Sequence, residues 1–584
     1  MRIIGIHDGH NASACLLTDG QIEYAIQEER ISRIKNHSTF PSLAVRQILE
    51  YCQLSPSDVD YFVFGSHHMP RNRDREELKK DYKNSSSAKT YLRRMSKKTP
   101  VLPLYVYKRR KERSSKAVDL GFSKDRIVFL DHHLTHAAAA YFGCPWWRNE
   151  PVLVLTNDAG GDGLCATVSI GNEGKLERIC EIPVSESVGY IYSMITFLLG
   201  MVPEEHEYKV MGMAPYSSKD KHRHLRRRFE ELVEFTETDL GMRWERSNGC
   251  PHTQYSYRFF RHFIHLERFD WICGGLQEFF ENFLSQWVRN CIQATGIHKI
   301  ALSGGVFMNV KANKRIMELP EVESLFILPS CGDETHSLGA AFLAYAHERT
   351  KKDRPIDLEP LGALYFGPEF DDREIETVLK EYPFKYMYVE KIEKEIARLL
   401  ARGEIVARFK GRMEFGARAL GNRSILADPS RREVIMIINE MIKKRDFWMP
   451  FAPSILPERE SEYLINPKNF ESPYMIMSFD TTDNTEELFA ASHPSDRTVR
   501  PQVVYDSWNP DYYSLLKEFE QLTGRGAILN TSFNLHGYPI VCTPKDALQV
   551  FSDSGLRFLG IGNYLVKKKA LKVVSLRNAE TNNC

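Results

Sequence analysis

Residues 2–6 form a short apolar run and predict a buried strand. Polar positions break the run at His7-Asp8-Gly9-His10-Asn11. Apolar residues resume from Ala12 to Leu17 and again from Ile22 to Ile26, which predicts two more strands, with Asp19-Gly20 as a hairpin turn between them. Further along, Asp131 to Tyr141 reads as the start of a helix, Pro151 to Asn157 as a strand and Gly274 to Thr295 as a long amphipathic helix. Lys299 to Leu302 is a strand that runs into Ser303-Gly304-Gly305. Leu325 to Leu328 is another, followed by a helix from Thr335 to Ala346. Strands alternating with helices predict an α/β fold. Lys351 to Pro360, rich in charge and proline, is the best linker. Beyond it strands and helices mix again, over Glu404 to Phe409, Ser424 to Ala427, Arg431 to Ile442, Ala527 to Leu529 and Pro544 to Phe551. No internal repeat or low-complexity tract is visible.

The 584 residues exceed what one core organises, so at least two domains are expected. Hydrophobic (42%) and charged (27%) fractions are those of a globular protein, and a net charge of +1 does not mark a binder of nucleic acid or membranes. The opening apolar run is too short for a signal peptide, and segments such as Ile191 to Val202 fall short of a membrane span. The 11 cysteines include no CxxC pair, which argues against disulfide and zinc frameworks and for a reducing cytoplasm. Residues 70–116 are locally basic, with Lys108-Arg109-Arg110-Lys111 at the centre. Such runs are usually solvated helical faces. A lid that guides an anionic or polyhydroxyl substrate is the alternative.

Three constellations carry chemistry. His132 and His136 in Asp131-His132-His133-Leu134-Thr135-His136 stand one helical turn apart, a spacing that suits two ligands of one metal, although histidines at this spacing also simply cap or pack. Asp333, at a strand end before a helix, can complete a two-histidine, one-carboxylate set that suits zinc or iron(II) and leans toward iron. Thr156 to Gly163, with Gly160 and Gly161, and Ser303 to Asn309, with Gly304 and Gly305, are turns after strands whose backbone N–H groups can approach phosphates. Lys410 to Ser424 packs four cationic residues among glycines, and Lys443-Lys444-Arg445 and Arg497 to Arg500 add more, a pattern that suits an anion pocket. Asn530 to Asn534 offers amides and hydroxyls, among them Ser532, for a ribose or a carbamoyl group.

Several motifs in order resemble the NodU/CmcH carbamoyltransferase family. They are His7-Asp8-Gly9-His10-Asn11-Ala12-Ser13, Tyr208 to Tyr216, Gly411 to Leu426, Asn530 to Asn534 and Pro539 to Pro544. The resemblance runs from Arg2 to about Val566, and the basic stretch looks specific to this chain. It implies an actin-like, two-lobed ASKHA domain over residues 1–350, a linker over 351–362 and a YrdC-like α/β domain over 363–584. It also implies an ATP-dependent O-carbamoyltransferase. The C-terminal domain would form carbamoyl-adenylate from carbamoyl phosphate and ATP with Mg²⁺, and the N-terminal domain would pass the carbamoyl group to a hydroxyl of a natural product or glycan. By motif match, His132, His136 and Asp333 are metal ligands, with Asp158 a further contact. Asp8 and His10 belong to the catalytic turn, with His10 placed to act on the acceptor hydroxyl. Arg418, Lys443, Arg445, Arg500 and Asn530 grip substrates in the C-terminal domain. Two positions depart from the family pattern: Met449 stands where many members carry arginine, and Ala417 where proline is common.

The resemblance leaves acceptor identity and oligomeric state open. Three rivals remain at this stage. A hydrogenase-maturation carbamoyltransferase would carry CxxC pairs. A tRNA-modifying enzyme would need a positive surface, which only residues 70–116 offer. A non-catalytic actin-like scaffold would need the phosphate turns but neither the histidine pair nor the arginine-rich C-terminal stretch.

Overall fold

The structure is a computed structural model that describes residues 1–70, 74–87, 101–247, 249–252, 256–444 and 446–568, with backbone only for 101–103. The first sheet holds five strands, Arg2–His7, Ser13–Thr18, Gln21–Gln27, Tyr61–Phe64 and Ile127–Phe129, in the order third, second, first, fourth, fifth. The first three are antiparallel, and the last two add in parallel to the first. A second five-stranded sheet repeats that order and sense with Val152–Gly161, Leu164–Asn172, Lys175–Pro183, Lys299–Ser303 and Ser324–Ile327. This duplicated arrangement is the two-lobed actin-like, ASKHA fold. The sequence shows no repeat because the two sheets share connectivity rather than side chains.

Helices His132–Gly143 and His336–Lys351 lie between the lobes, and their alanines form one core with residues of both sheets. Small residues let the backbones approach. A Cβ on Gly339 would lie 1.9 Å from the Thr135 carbonyl oxygen, and one on Gly5 would lie 2.0 Å from that of Ser337. The first strand and the two helices are thereby locked together at their ends nearest the cleft.

After Lys351 the chain does not swing free as a linker. Glu359 N–H donates to the Gly20 carbonyl (3.0 Å), Leu361 N–H donates to that of Gly143 (3.0 Å), and Leu358 is buried. The predicted linker thus lies along the first module. Beyond it an eight-stranded mixed sheet spans Lys385 to Lys567. Its central strands alternate strictly: Val406 and Leu426 join the core under helices Ile392–Ala401 and Pro510–Thr523, whereas Ala407 and Ile425 join the core under Pro544–Asp553. Both faces are therefore covered, which is why these strands read as continuous apolar runs. The element expected over Arg431 to Ile442 is the helix Glu433–Ile438 followed by a π-turn, Asn439–Lys443.

The basic stretch also departs from a solvated face. Helix Val101–Asp119 directs Arg109, Arg110 and Arg113 at backbone carbonyls of residues 66–70. No helix among the described residues is long and apolar enough to cross a membrane.

Candidate active site

Asp131 caps the helix that starts at His132, its carboxylate accepting from Leu134 N–H. One turn of that helix places His132 and His136 on one face. Helix His336–Lys351 brings His336 from the opposite side, the short turn Asp333–Thr335 brings Asp333, and strand Val152–Gly161 brings Asp158. Asp333 Oδ1 lies 3.4 Å from Nε2 of His136, 3.5 Å from that of His336 and 3.9 Å from that of His132. Asp158 Oδ2 lies 3.3 Å from His132 Nε2 and 3.9 Å from His136 Nε2. The fold thus brings together all four residues expected at a metal and adds His336, which no spacing in the sequence singled out.

These residues fit a divalent transition metal. One potential ligand atom from each of His132, His136, Asp333 and His336 lies within 4.8 Å of the others. Nε2 of His136 and of His336 is buried, and no hydrogen bond of ordinary geometry satisfies either. The opposite ring nitrogens are anchored, His136 Nδ1 to Ser303 Oγ at 3.1 Å and His336 Nδ1 to Thr135 Oγ1 at 2.5 Å, the outer-shell arrangement that orients histidine ligands. Burial opposes the charge on His136, but Asp158 and Asp333 more than offset it and raise its pKa to about 9. Burial likewise works against ionised Asp333, and its contacts with His136 and His336 still hold it well below the usual carboxylate range. Mixed imidazole and carboxylate donors suit iron or zinc.

Two other histidines border the cluster. His133 points away to Thr156 Oγ1 (2.9 Å), and burial drives its pKa down to about 3. His7 is the last residue of the first strand rather than the first of a turn. Its Nε2 lies 3.6 Å from Asp333 Oδ2, its ring stacks on His336 at 5.2 Å, and burial lowers its pKa to about 4.

The two glycine turns face each other beside the cluster. A Cβ on Gly161 would lie 2.1 Å from His132 Cγ, and one on Gly305 would lie 2.9 Å from Asp158 Oδ1. Gly304 has φ +103°, and a Cβ there would lie 2.2 Å from the Asn157 carbonyl oxygen. Gly160, at φ +157°, packs on Val184. Asn309 departs from the ligand contact expected of it. Its Oδ1 caps helix Val310–Met317 through Ala312 N–H (3.1 Å), and its amide exchanges two hydrogen bonds with Gln277.

Asp8 and His10 differ. Asp8 is buried and held by Arg113, with Nε to Oδ2 and Nη2 to Oδ1 both at 2.7 Å. His10 is partly exposed and lies near enough to Glu334 to favour that carboxylate's ionised form electrostatically.

From the other module, the loop Gly411–Gly421 docks on the segment that carries Asp333. Ala417 N–H donates to Ser330 Oγ (2.8 Å), Arg30 Nη2 donates to the Gly416 carbonyl (2.7 Å), and Arg418 lies near enough to Cys331 to act on it electrostatically. Family models described as the carbamoyltransferase N-terminus and C-terminus match residues 2–342 and 397–568.

The chain belongs to the NodU/CmcH carbamoyltransferase family.

Nodulation protein NolNO of Sinorhizobium fredii is 30% identical over 96% of this chain and 79% of its own. The 3'-hydroxymethylcephem-O-carbamoyltransferase of Amycolatopsis lactamdurans is 30% identical over 45% of this chain and 47% of its own. Among solved structures, full-length HypF in the phosphate- and nucleotide-bound form covers 59% of this chain and 55% of its own, at 15% identity and a TM-score of 0.31.

In this carbamoyltransferase the cations between Lys410 and Ser424 are not one anion pocket. Lys410 pairs with Glu393 (2.7 Å) and Asp511 (3.0 Å). Arg412 donates to the carbonyls of Gly367, Phe366 and Glu23. Arg423 is buried, donates to those of Gly411, Asn422 and Pro368, and lies 3.8 Å over the Phe409 ring. A lone acid, Glu414, organises the loop by accepting from the N–H groups of Leu420, Asn422 and Arg423. Arg418, half-buried at the seam, is the remaining cation of the run.

Asn530 is buried and donates to the Ala419 carbonyl, Ser454 Oγ and Gln502 Oε1, each at 3.2 Å. Lys443 Nζ bonds the Ser532 carbonyl (2.5 Å) and Asn534 Oδ1 (2.7 Å), so Lys443 and Ser532 share one polar knot. Arg500 is half-buried, and Arg445 lies outside the described residues. Met449 packs on Gly212 beside Trp448, whose Nε1 donates to the Lys209 carbonyl (3.2 Å), so this departure from the family pattern sits in the contact between the modules.

Proposed function

We propose that this enzyme is an ATP-dependent O-carbamoyltransferase with two reaction centres. Residues 363–584, a YrdC-like module, form carbamoyl-adenylate from carbamoyl phosphate and ATP with Mg²⁺. Residues 1–350 transfer the carbamoyl group to a hydroxyl of a natural product or glycan, and residues 351–362 join the two. The observation that carries this reading is the seam. The loop bearing Arg418 bonds Ser330 directly, in the segment that ends at Asp333, which sets the two proposed centres next to each other. A short transfer matters because an activated carbamoyl group is lost to water.

Arg418, Lys443, Arg445 and Arg500 supply positive charge for phosphates in the first step, and Asn530 and Ser532 supply amide and hydroxyl contacts. The glycines at Gly160-Gly161 and Gly304-Gly305 let the two strand ends close up against His132 and Asp158, next to where the adenylate phosphate would lie. His132, His136, His336, Asp333 and Asp158 would hold a divalent ion, iron(II) by donor type, which polarises the carbamoyl carbonyl when bound. In transfer, the acceptor oxygen bonds to the carbamoyl carbon, the bond from that carbon to the AMP phosphate oxygen breaks, and His10 receives the hydroxyl proton.

The test follows ATP and products together. AMP and pyrophosphate should form only when carbamoyl phosphate is present, and mass spectrometry of a panel of hydroxylated metabolites should find a carbamoylated product. ATP turnover indifferent to carbamoyl phosphate would refute the proposal.

A further inference from the structure

Arg113 is saturated with contacts that converge on one turn. Besides both oxygens of Asp8, it reaches the Ser66 carbonyl (3.0 Å), Ser66 Oγ (3.1 Å) and the His67 carbonyl (3.3 Å). Its guanidinium lies against the stacked rings of Phe64 (4.7 Å) and Phe129 (5.0 Å). The Arg113 and Asp8 side chains are only 3% and 5% exposed, so each charge depends on the other. Breaking such a pair leaves a buried charge uncompensated.

A second route links the same helix to the same turn. Arg109 Nε donates to the Met69 carbonyl (3.2 Å), and Met69 fills the space above Gly9, where a Cβ would lie 2.7 Å from its sulfur. Asn11, next to His10, is held in the left-handed region at φ +59°. The turn that follows His7 is thus held through Asp8 and Gly9 by a helix far along the chain. The same basic segment also reaches the second lobe, where Arg75 pairs with Glu205 (2.5 Å) and the Tyr82 hydroxyl donates to Glu204 (3.3 Å).

We infer that Arg113 is a positioning residue for carbamoyl transfer: it grips both carboxylate oxygens of Asp8 and thereby fixes the turn that presents His10 to the acceptor. Asp8 then serves as the anchor of the turn rather than as a base, and the basic segment is a working part of the transfer centre. This rests on the proposed role of His10.

The experiment compares the full chain with Arg113→Lys and Arg113→Ala in two assays, carbamoyl-phosphate-dependent AMP release and carbamoylation of an accepted hydroxyl compound. Displacing a reacting group by about 1 Å costs about 10²-fold in rate. Arg113→Ala should lose about that much in kcat of transfer while acceptor KM and adenylate formation stay within about twofold. Arg113→Lys keeps the charge without the fork and should recover part of the loss. Transfer at the wild-type rate in Arg113→Ala overturns the inference alone. Parallel loss of both activities in both variants also overturns it, because that marks a general structural role. A wild-type chain that carbamoylates no hydroxyl overturns the function on which it rests.

Discussion

Asp333 Oδ1 stands 3.4 Å from His136 Nε2, across the gap between the two central helices. In the metal-free protein this contact, with that to Asp158, lifts the His136 pKa from 6.5 to about 9. Protonation of His136 therefore stabilises the fold fully below pH 6.5, and that contribution disappears as pH rises through about 9. A bound cation must displace the same proton. The rise in Tm on adding zinc(II) should accordingly grow between pH 6.5 and pH 9. A Tm increment that stays flat across this range would exclude His136 as a ligand.

His336 should matter to the metal although no motif marks it. Its Nε2 is buried, faces Asp333 at 3.5 Å and lacks a well-formed hydrogen bond. His336→Ala should weaken metal binding by at least about tenfold in a chelator competition, a loss on the scale known for disturbed metal shells. Unchanged affinity would place His336 outside the metal set.

Gly161 leaves no space for a side chain beside His132, since a Cβ would lie 2.1 Å from the ring. Gly161→Ala should push the ring aside, lower the metal content and destabilise the protein by about 1–3 kcal/mol, the usual range for overpacking. Metal analysis with a denaturant titration checks both effects. A variant with full metal and an unshifted midpoint would mean that the backbone gives way instead.

Arg418 lies at the seam, near Cys331. Arg418→Ala should slow adenylate formation by about tenfold or more, as expected for one hydrogen bond to a charged group, worth about 1.5–3 kcal/mol. Supplied carbamoyl-adenylate should still be consumed. Normal AMP release by the variant would remove Arg418 from the first step.

His10→Asn keeps size and some hydrogen bonding but removes the titrating ring. Transfer should fall by about 10²–10⁴-fold, the usual share of a general base, while AMP release persists and the adenylate is lost to water. An unchanged transfer rate would put the base elsewhere.

The local elements were legible in the sequence because period, turn chemistry and capping involve near neighbours. The opening meander, the glycine turns after strands and the histidine pair one helical turn apart are all of this kind. The same holds for the motifs that placed the chain in its family, and for four of the five residues now gathered around the candidate metal. Only the tertiary structure decided the rest, because the rest depends on residues distant in the chain. Burial and an orphaned nitrogen, not spacing, mark His336, and His7 came into the cluster as a strand end. The run from Lys410 to Ser424 looked like an anion pocket because charge density does not reveal direction, and most of its cations turned out to face carbonyls or acids. The duplicated strand order left no trace in the sequence, since connectivity can be kept while side chains diverge. The pairing of Asp8 with Arg113 joins the first strand's turn to a helix that charge alone had marked as solvent-facing. Burial against the stacked rings of Phe64 and Phe129, which exists only in the folded chain, makes that pair strong.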